Sequence, residues 1–121
     1  MDNNSEIENV MPHDAQAEQA VLGSIFLDEN ALAEAIEFVT PDDFYNRANQ
    51  VIFKAMIAVD DVGDKIDPLT VSNELKRSNQ FEDAGGAVYL DELLSNIPSS
   101  SHVREYAKIV QGKAALRRLI N

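Results

Sequence analysis

Apolar side chains recur at helical spacing through most of the chain, whereas the strict alternation that is typical of a β-strand does not occur. A first helix is predicted from Asp14 to Leu27, after Pro12. A second is predicted from about Glu29 to Phe38, with Asp28 as its N-cap. The sequence therefore predicts an all-α fold. The apolar positions that define these two helices are Val21, Leu22, Ile25, Phe26, Leu32, Ala35, Ile36 and Val39.

Two cap-and-proline signatures mark further helix starts. In the segment from Thr40 to Asp43, Thr40 is a cap, Pro41 suits the first helical position and Asp43 can accept the amide proton of the cap. We expect a long third helix to follow, ending at the Asp60–Gly63 break. Asp67-Pro68 repeats the signature and predicts a short fourth helix that ends near Ser78. Their apolar positions are Ile52, Ala55, Met56, Val59, Leu69, Val71 and Leu75.

The glycine pair Gly85-Gly86 predicts the next turn. A fifth helix, with apolar residues from Val88 to Leu94, is expected to stop before Pro98. The serine run Ser99–Ser101 supplies caps for a sixth. Residues 1–11 have few large apolar side chains and no periodicity, so we interpret them as a flexible leader.

The sixth helix has two apolar faces. One stripe consists of Val103, Ala107, Val110 and Ala114, and a second, about 120° away around the helix, consists of Ile109, Leu116 and Ile120. A helix that covers the edge of a small domain needs one such face, so the second is predicted to contact a following helix or another protomer. The alternative is that both faces pack in one core.

The charge is distributed unevenly along the chain. Its 121 residues carry a formal net charge of −11. Residues 1–101 hold 20 acidic and 5 basic side chains, whereas residues 102–121 hold 1 acidic and 5 basic. An acidic body repels nucleic acid over most of its surface. The candidate nucleic-acid contacts are therefore confined to the last helix, at Arg104, Lys108, Arg117 and Arg118.

Composition excludes several other classes of protein. The chain contains no cysteine, which excludes disulfides, thiolate zinc sites and a cysteine nucleophile, and fits a reducing compartment. No stretch approaches the roughly 20 apolar residues that span a bilayer, and no export signal is visible. We expect a cytoplasmic protein of one domain that makes no membrane contact.

No catalytic, cofactor or metal site is predicted. Gly112-Lys113 fails as a phosphate-binding loop because Ala107 and Ala114 replace the required glycine and hydroxyl residue. The aspartates between residues 60 and 67 lack the spacing of a calcium loop. His13 and His102 each lack a second ligand or nucleophile at a usable spacing.

From Pro12 onwards, the order and spacing of several short motifs resemble those of the N-terminal domain of the bacterial replicative DNA helicase, the DnaB-type hexamer. They are Pro12-His13, the run from Ala17 to Ser24, Asp43-Phe44-Tyr45, Gly85-Gly86 with Tyr89-Leu90, Asn96-Ile97-Pro98, Tyr106-Ala107, Ile109-Val110 and the run from Leu116 to Ile120.

The resemblance implies a helical head at residues 12–98 and, at residues 99–121, the start of a helical hairpin through which protomers pair into a hexameric collar. It also implies docking of the C-terminal domain of primase. In this family an ATPase domain that uses ATP and magnesium follows, and we expect this chain to be a non-catalytic part of such a helicase. The protein interface is predicted at Ile109, Leu116 and Ile120, and DNA contact is expected to be weak at most.

Two other functions stay open at this point. A stand-alone helical adaptor would bind an unrelated protein through the same face. Direct nucleic-acid binding would use Arg104, Lys108, Arg117 and Arg118 of the last helix, and the acidic body argues against high affinity. The hypothesis that the chain is a small hydrolase is remote, because the sequence does not combine a nucleophile, a base and an orienting group.

Overall fold

The computed structural model describes residues 10–96 and 102–120. Within these ranges the chain forms α-helices and one 3-10 turn and contains no strand, which confirms the all-α prediction. Predictions for residues 1–9, Pro98 and Ser99–Ser101 lie outside the described residues. The helices are α1 (Ala15–Leu27), α2 (Ala31–Ala35), α3 (Arg47–Asp61), α4 (Pro68–Arg77), α5 (Gly86–Ser95) and α6 (Val103–Ile120), and the 3-10 turn is Pro41–Asp43.

Helix α1 packs against α2, α3, α5 and α6. Helix α3 packs in addition against α4 and the 3-10 turn, and α6 against α2 and the same turn. One hydrophobic core results, and it includes Val103, Ala107 and Val110 of the first apolar stripe of α6. Its largest fully buried side chains are Phe44, Phe53, Leu22, Ile25, Ile52, Met56 and Leu75.

The prediction for the second helix was wrong in its start and its length. Asp28 ends α1, since its backbone N–H donates to the carbonyl of Ser24. Its side chain accepts from the amide of Asn30, which is the N-cap of α2 but makes no side-chain cap bond. After Ala35 the chain forms turns instead of further α-helix, since the N–H of Phe38 donates to the carbonyl of Ala35, three residues earlier. Helix α2 therefore has only 5 residues.

The prediction for the third helix was right in its capping chemistry and wrong in its start. The capping box exists, since Asp43 Oδ2 accepts from the amide of Thr40 at 2.8 Å. It closes one 3-10 turn, after which Phe44 takes extended backbone (φ −78°, ψ 136°) and is fully buried, with its ring 5.0 Å from that of Phe53. Helix α3 begins only at Arg47, behind an N-cap at Asn46.

The starts of α4 and α5 agree with the sequence. Asp67 accepts from the amide of Thr70 at 2.9 Å, and the Thr70 hydroxyl accepts from the amide of Asp67 at 3.0 Å. Gly85 has φ +87°, and a Cβ there would lie 2.6 Å from the Cβ of Tyr89. Only glycine fits this left-handed, closely approached turn.

Candidate protein-interaction surface

Helix α6 separates its two apolar stripes as predicted. The first stripe is buried, from Val103 to Ala114. The second is open, with Ile109 42%, Leu116 46% and Ile120 60% exposed. Leu119, which the sequence analysis missed, is 81% exposed and lies beside Ile120. Its position three residues after Leu116 was the signal for it. The role of this surface, the α6 outer face, stays a prediction at this point.

A groove of about 560 Å³ adjoins this face. It runs between the first half of α1, the end of α5 and the middle of α6, and it shares Ile109 with the α6 outer face. Its lining includes Asp14, Gln16 and Gln19 from the α1 side and Tyr106 from α6. The groove extends the α6 outer face across the surface of the head.

Two of the four candidate nucleic-acid contacts lie near the start of α6 and gather around one aromatic ring. Arg104 pairs with Glu37 at 3.4 Å and lies 4.9 Å from the centroid of the Phe38 ring. The ammonium group of Lys108 lies 5.7 Å from the same centroid. Both contacts tie α6 to the segment after α2, and the Arg104–Glu37 pair is exposed and worth little in stability.

The other two candidates lie near the end of α6 and reach back to the head. Arg117 donates to the carbonyl of Pro12 at 2.8 Å and to the carbonyl of Asp43 at 2.6 Å, and its guanidinium lies 5.3 Å from the centroid of the Tyr45 ring. Arg118 donates to Asp43 Oδ1 at 3.0 Å. The structure thus brings Pro12-His13, Asp43-Phe44-Tyr45 and Arg117-Arg118 together in one cluster.

The chain around this cluster is fixed by a buried carboxylate that the sequence analysis did not single out. Glu18, only 2% exposed, accepts from the amide of Tyr45 at 2.7 Å, the amide of Asn46 at 3.3 Å and the side-chain amide of Asn49 at 2.8 Å. A carboxylate at a helix start satisfies amides that have no partner within the helix and complements the helix dipole. Glu18 therefore holds the chain in place directly before α3.

The same network continues to α5. Tyr89 donates its hydroxyl proton to Asn49 Oδ1 at 2.5 Å. Burial raises the pKa of the Tyr89 hydroxyl, an effect that its hydrogen bonds with Gln19 and Asn49 partly offset. The phenol is held neutral and serves as a donor in a polar contact between α1, α3 and α5.

Neither Gly112 nor Lys113 belongs to a loop, because both lie within α6. Across residues 10–96 and 102–120, the side chains form no group of three or more acidic or histidine residues able to hold a metal ion. In the same ranges no helix combines the length and the apolar character that crossing a membrane requires.

Comparison with known proteins identifies the same family as the sequence motifs and is consistent with the fold. Residues 10–112 match the family model for the DnaB-like helicase N terminal domain. The chain is 49% identical over 113 residues to the replicative DNA helicase DnaB of Geobacillus stearothermophilus, covering 93% of this chain and 25% of that one. It is 44% identical over 109 residues to the replicative DNA helicase DnaC of Bacillus subtilis, covering 90% and 24%.

A solved structure gives the same result. The crystal structure of the N-terminal domain of DnaB helicase from Mycobacterium tuberculosis superposes with a TM-score of 0.88 at 40% identity, covering 92% of this chain and 80% of that one. The chain spans about a quarter of the length of the curated relatives that it matches. From the family match, the identities and the shared fold, the chain belongs to the family of DnaB-like helicase N-terminal domains.

Proposed function

We propose that this chain is the non-catalytic N-terminal collar domain of a hexameric replicative DNA helicase, and that it assembles protomers and docks primase during DNA replication. ATP and magnesium serve a separate ATPase domain of the parent protein, and this chain binds neither. The proposed function places the protein in the cytoplasm.

The observation that carries the proposal is the α6 outer face. Leucine and isoleucine side chains repeat on one side of a helix whose other side is already buried in the core. Contiguous exposed apolar surface of this kind marks protein–protein contacts. The two relatives are both named replicative DNA helicases, which supports a replicative helicase as the parent protein.

Sedimentation equilibrium over a concentration series tests self-association. We expect the wild-type chain to associate and the double variant Leu116→Asp/Ile120→Asp to associate about a hundredfold more weakly, since each carboxylate loses its water on contact. Leu69→Asp is the matched control, because Leu69 is 70% exposed on α4, away from α6. Its association is expected to equal that of the wild type.

Thermal unfolding separates an interface from core. Because Leu116 and Ile120 are exposed in the single chain, the double variant is expected to retain the wild-type melting temperature of the head at a concentration where both are monomers. A loss of head stability comparable to the loss of association contradicts the assignment of this face as an interface.

Primase docking needs its own experiment, a calorimetric titration of this chain with the C-terminal domain of the cognate primase. Saturable binding supports docking within residues 1–121. Absence of binding to a folded, associated chain contradicts it. If the chain is monomeric, the titration is repeated with the longer chain that contains the complete hairpin, and absence of binding there contradicts docking.

The alternative function is a stand-alone helical adaptor that binds an unrelated protein through the same face. It is favoured by a parent gene that stops after Asn121 and by a stable monomer. DNA contact through Arg104, Lys108, Arg117 and Arg118 is expected to be weak, because three of the four have polar partners in the head. Binding to single-stranded DNA that is tight and steeply salt-dependent contradicts this expectation.

A further inference from the structure

The end of α6 extends beyond the core of the head. Ala114 is the last buried residue of the helix, and residues 115–120 continue for about 9 Å at the rise of an α-helix. Five of these six residues are exposed, and Arg117 is the exception. Apolar packing of the helix therefore ends at Ala114, and no buried apolar side chain holds the segment that carries Leu116, Leu119 and Ile120.

Arg117 supplies the missing attachment through polar contacts. One guanidinium nitrogen donates to the carbonyl of Pro12, before α1, and the other to the carbonyl of Asp43, at the end of the 3-10 turn. Its planar group also lies against the ring of Tyr45, which stacks on His13 with centroids 4.2 Å apart. Two separate segments of the head are thus joined to the end of α6 by one forked side chain.

The accepting segments are themselves held in place. Asp43 uses Oδ2 for the amide of Thr40 and Oδ1 for Arg118. The amide of Tyr45 is bound to the buried Glu18 carboxylate. The Nδ1 of His13 donates to the carbonyl of Met11 at 2.8 Å, which orders the chain beside Pro12. Arg117 and Arg118 therefore bond to rigid partners, and their contacts restrict the helix.

We infer that Arg117 and Arg118 are positioning residues that fix the direction in which the end of α6 leaves the head, and so orient the α6 outer face. Their hydrogen-bond partners in the head are carbonyl and carboxylate oxygens. The inference rests on the proposed function only in one respect, that the orientation of the α6 outer face serves protomer assembly. The attachment itself concerns a single chain and is testable without any partner.

The chemistry of the fork gives a discriminating substitution. Arginine bonds to two acceptors at once in a fixed plane, whereas lysine has the same charge on a compact ammonium group. Arg117→Lys keeps the electrostatic attraction to nucleic acid and loses the double attachment and the flat contact with Tyr45. A residue that served DNA by its charge would tolerate lysine, and a positioning residue does not.

The experiment measures a distance distribution within one chain by double electron–electron resonance. The absence of cysteine allows spin labels at Lys54→Cys on α3 and Leu119→Cys on α6, both exposed in the structure. An excess of unlabelled chain suppresses the contribution of distances between spin labels on different molecules. The distribution is recorded for otherwise wild-type protein, Arg117→Ala, Arg117→Lys and the control Arg104→Ala, after circular dichroism has shown each to be folded.

We expect one narrow distribution for the wild type and for Arg104→Ala, and a width increased about twofold or more for Arg117→Ala and Arg117→Lys. An unchanged width in Arg117→Ala overturns the inference. If Arg117→Ala does not fold, Arg117→Lys decides, and a wild-type width there overturns the inference. If the wild-type chain is monomeric and its narrow distance distribution widens in the Arg117 variants, self-association is contradicted and the attachment by Arg117 is supported. Failure of the proposed function and failure of this inference are therefore distinguishable.

Discussion

Replacing Glu18 by glutamine tests whether a buried carboxylate sets the start of α3. The carboxylate accepts three hydrogen bonds, from the amides of Tyr45 and Asn46 and from the side chain of Asn49. Glutamine has nearly the same shape, but its NH2 group must face at least one of these donors. A buried donor left without an acceptor costs about 1–3 kcal/mol, and the lost interaction with the helix dipole adds roughly 0.3–1 kcal/mol.

Together these effects predict that Glu18→Gln lowers the free energy of unfolding by about 1.3–4 kcal/mol, a substantial part of the 5–15 kcal/mol typical of a domain. With a urea dependence near 2 kcal/mol per molar, the unfolding midpoint falls by about 0.7–2 M. Urea titration followed by circular dichroism at 222 nm measures this shift. Glu34→Gln, on the exposed side of α2, is the matched control and is expected to remain within about 0.5 kcal/mol of wild type. A midpoint for Glu18→Gln equal to that of Glu34→Gln would refute the reasoning.

Three further predictions concern single side chains. Among the described residues, the buried Ser24 hydroxyl has no hydrogen-bond partner. Ser24→Ala is therefore expected to leave stability unchanged or raise it by up to about 1 kcal/mol in urea titration, and a clear loss would show that the hydroxyl has a bonding role. Burial raises the pKa of the Tyr89 phenol in the folded chain, so the stability that the neutral phenol contributes is fully present below the pKa of the phenol in the unfolded chain and is lost as the pH rises further. The melting temperature is therefore expected to fall above about pH 10, and to fall less in Tyr89→Phe. Equal slopes of melting temperature against pH in the two proteins would contradict this. Apart from the nearby backbone of its own helix, a Cβ at Gly112 meets no atom of the described residues within 4 Å. Gly112→Ala is therefore expected to stabilise α6 by about 0.5–1 kcal/mol, and a lower melting temperature would show that this helix requires glycine there.

Sequence reasoning succeeded where the determining interactions are local. The cap at Asp67, the glycine turn at Gly85 and the two stripes of α6 depend on residues within one or two turns of each other, and the structure agrees with each prediction. The second stripe was recognisable because helical periodicity assigns a face to each residue before any tertiary contact is known.

It failed where a distant residue overrides a local signal. The capping box at Thr40 predicts a helix that continues, yet Glu18 captures the amides of Tyr45 and Asn46 from 27 and 28 residues away and moves the start of α3 to Arg47. The contacts of Arg117 span 105 and 74 residues. The four candidate nucleic-acid contacts on α6 therefore appeared equivalent in the sequence, although their surroundings in the structure differ.

The measurement that tests the central claim most directly is a dilution series of the isotope-labelled chain followed by two-dimensional NMR. If the α6 outer face joins copies of this protein, concentration-dependent shifts will cluster at Ile109, Leu116, Leu119 and Ile120, and they will disappear in Leu116→Asp/Ile120→Asp. Shifts clustered around Leu69 on α4, or a folded chain whose spectrum does not change with concentration, would contradict the account.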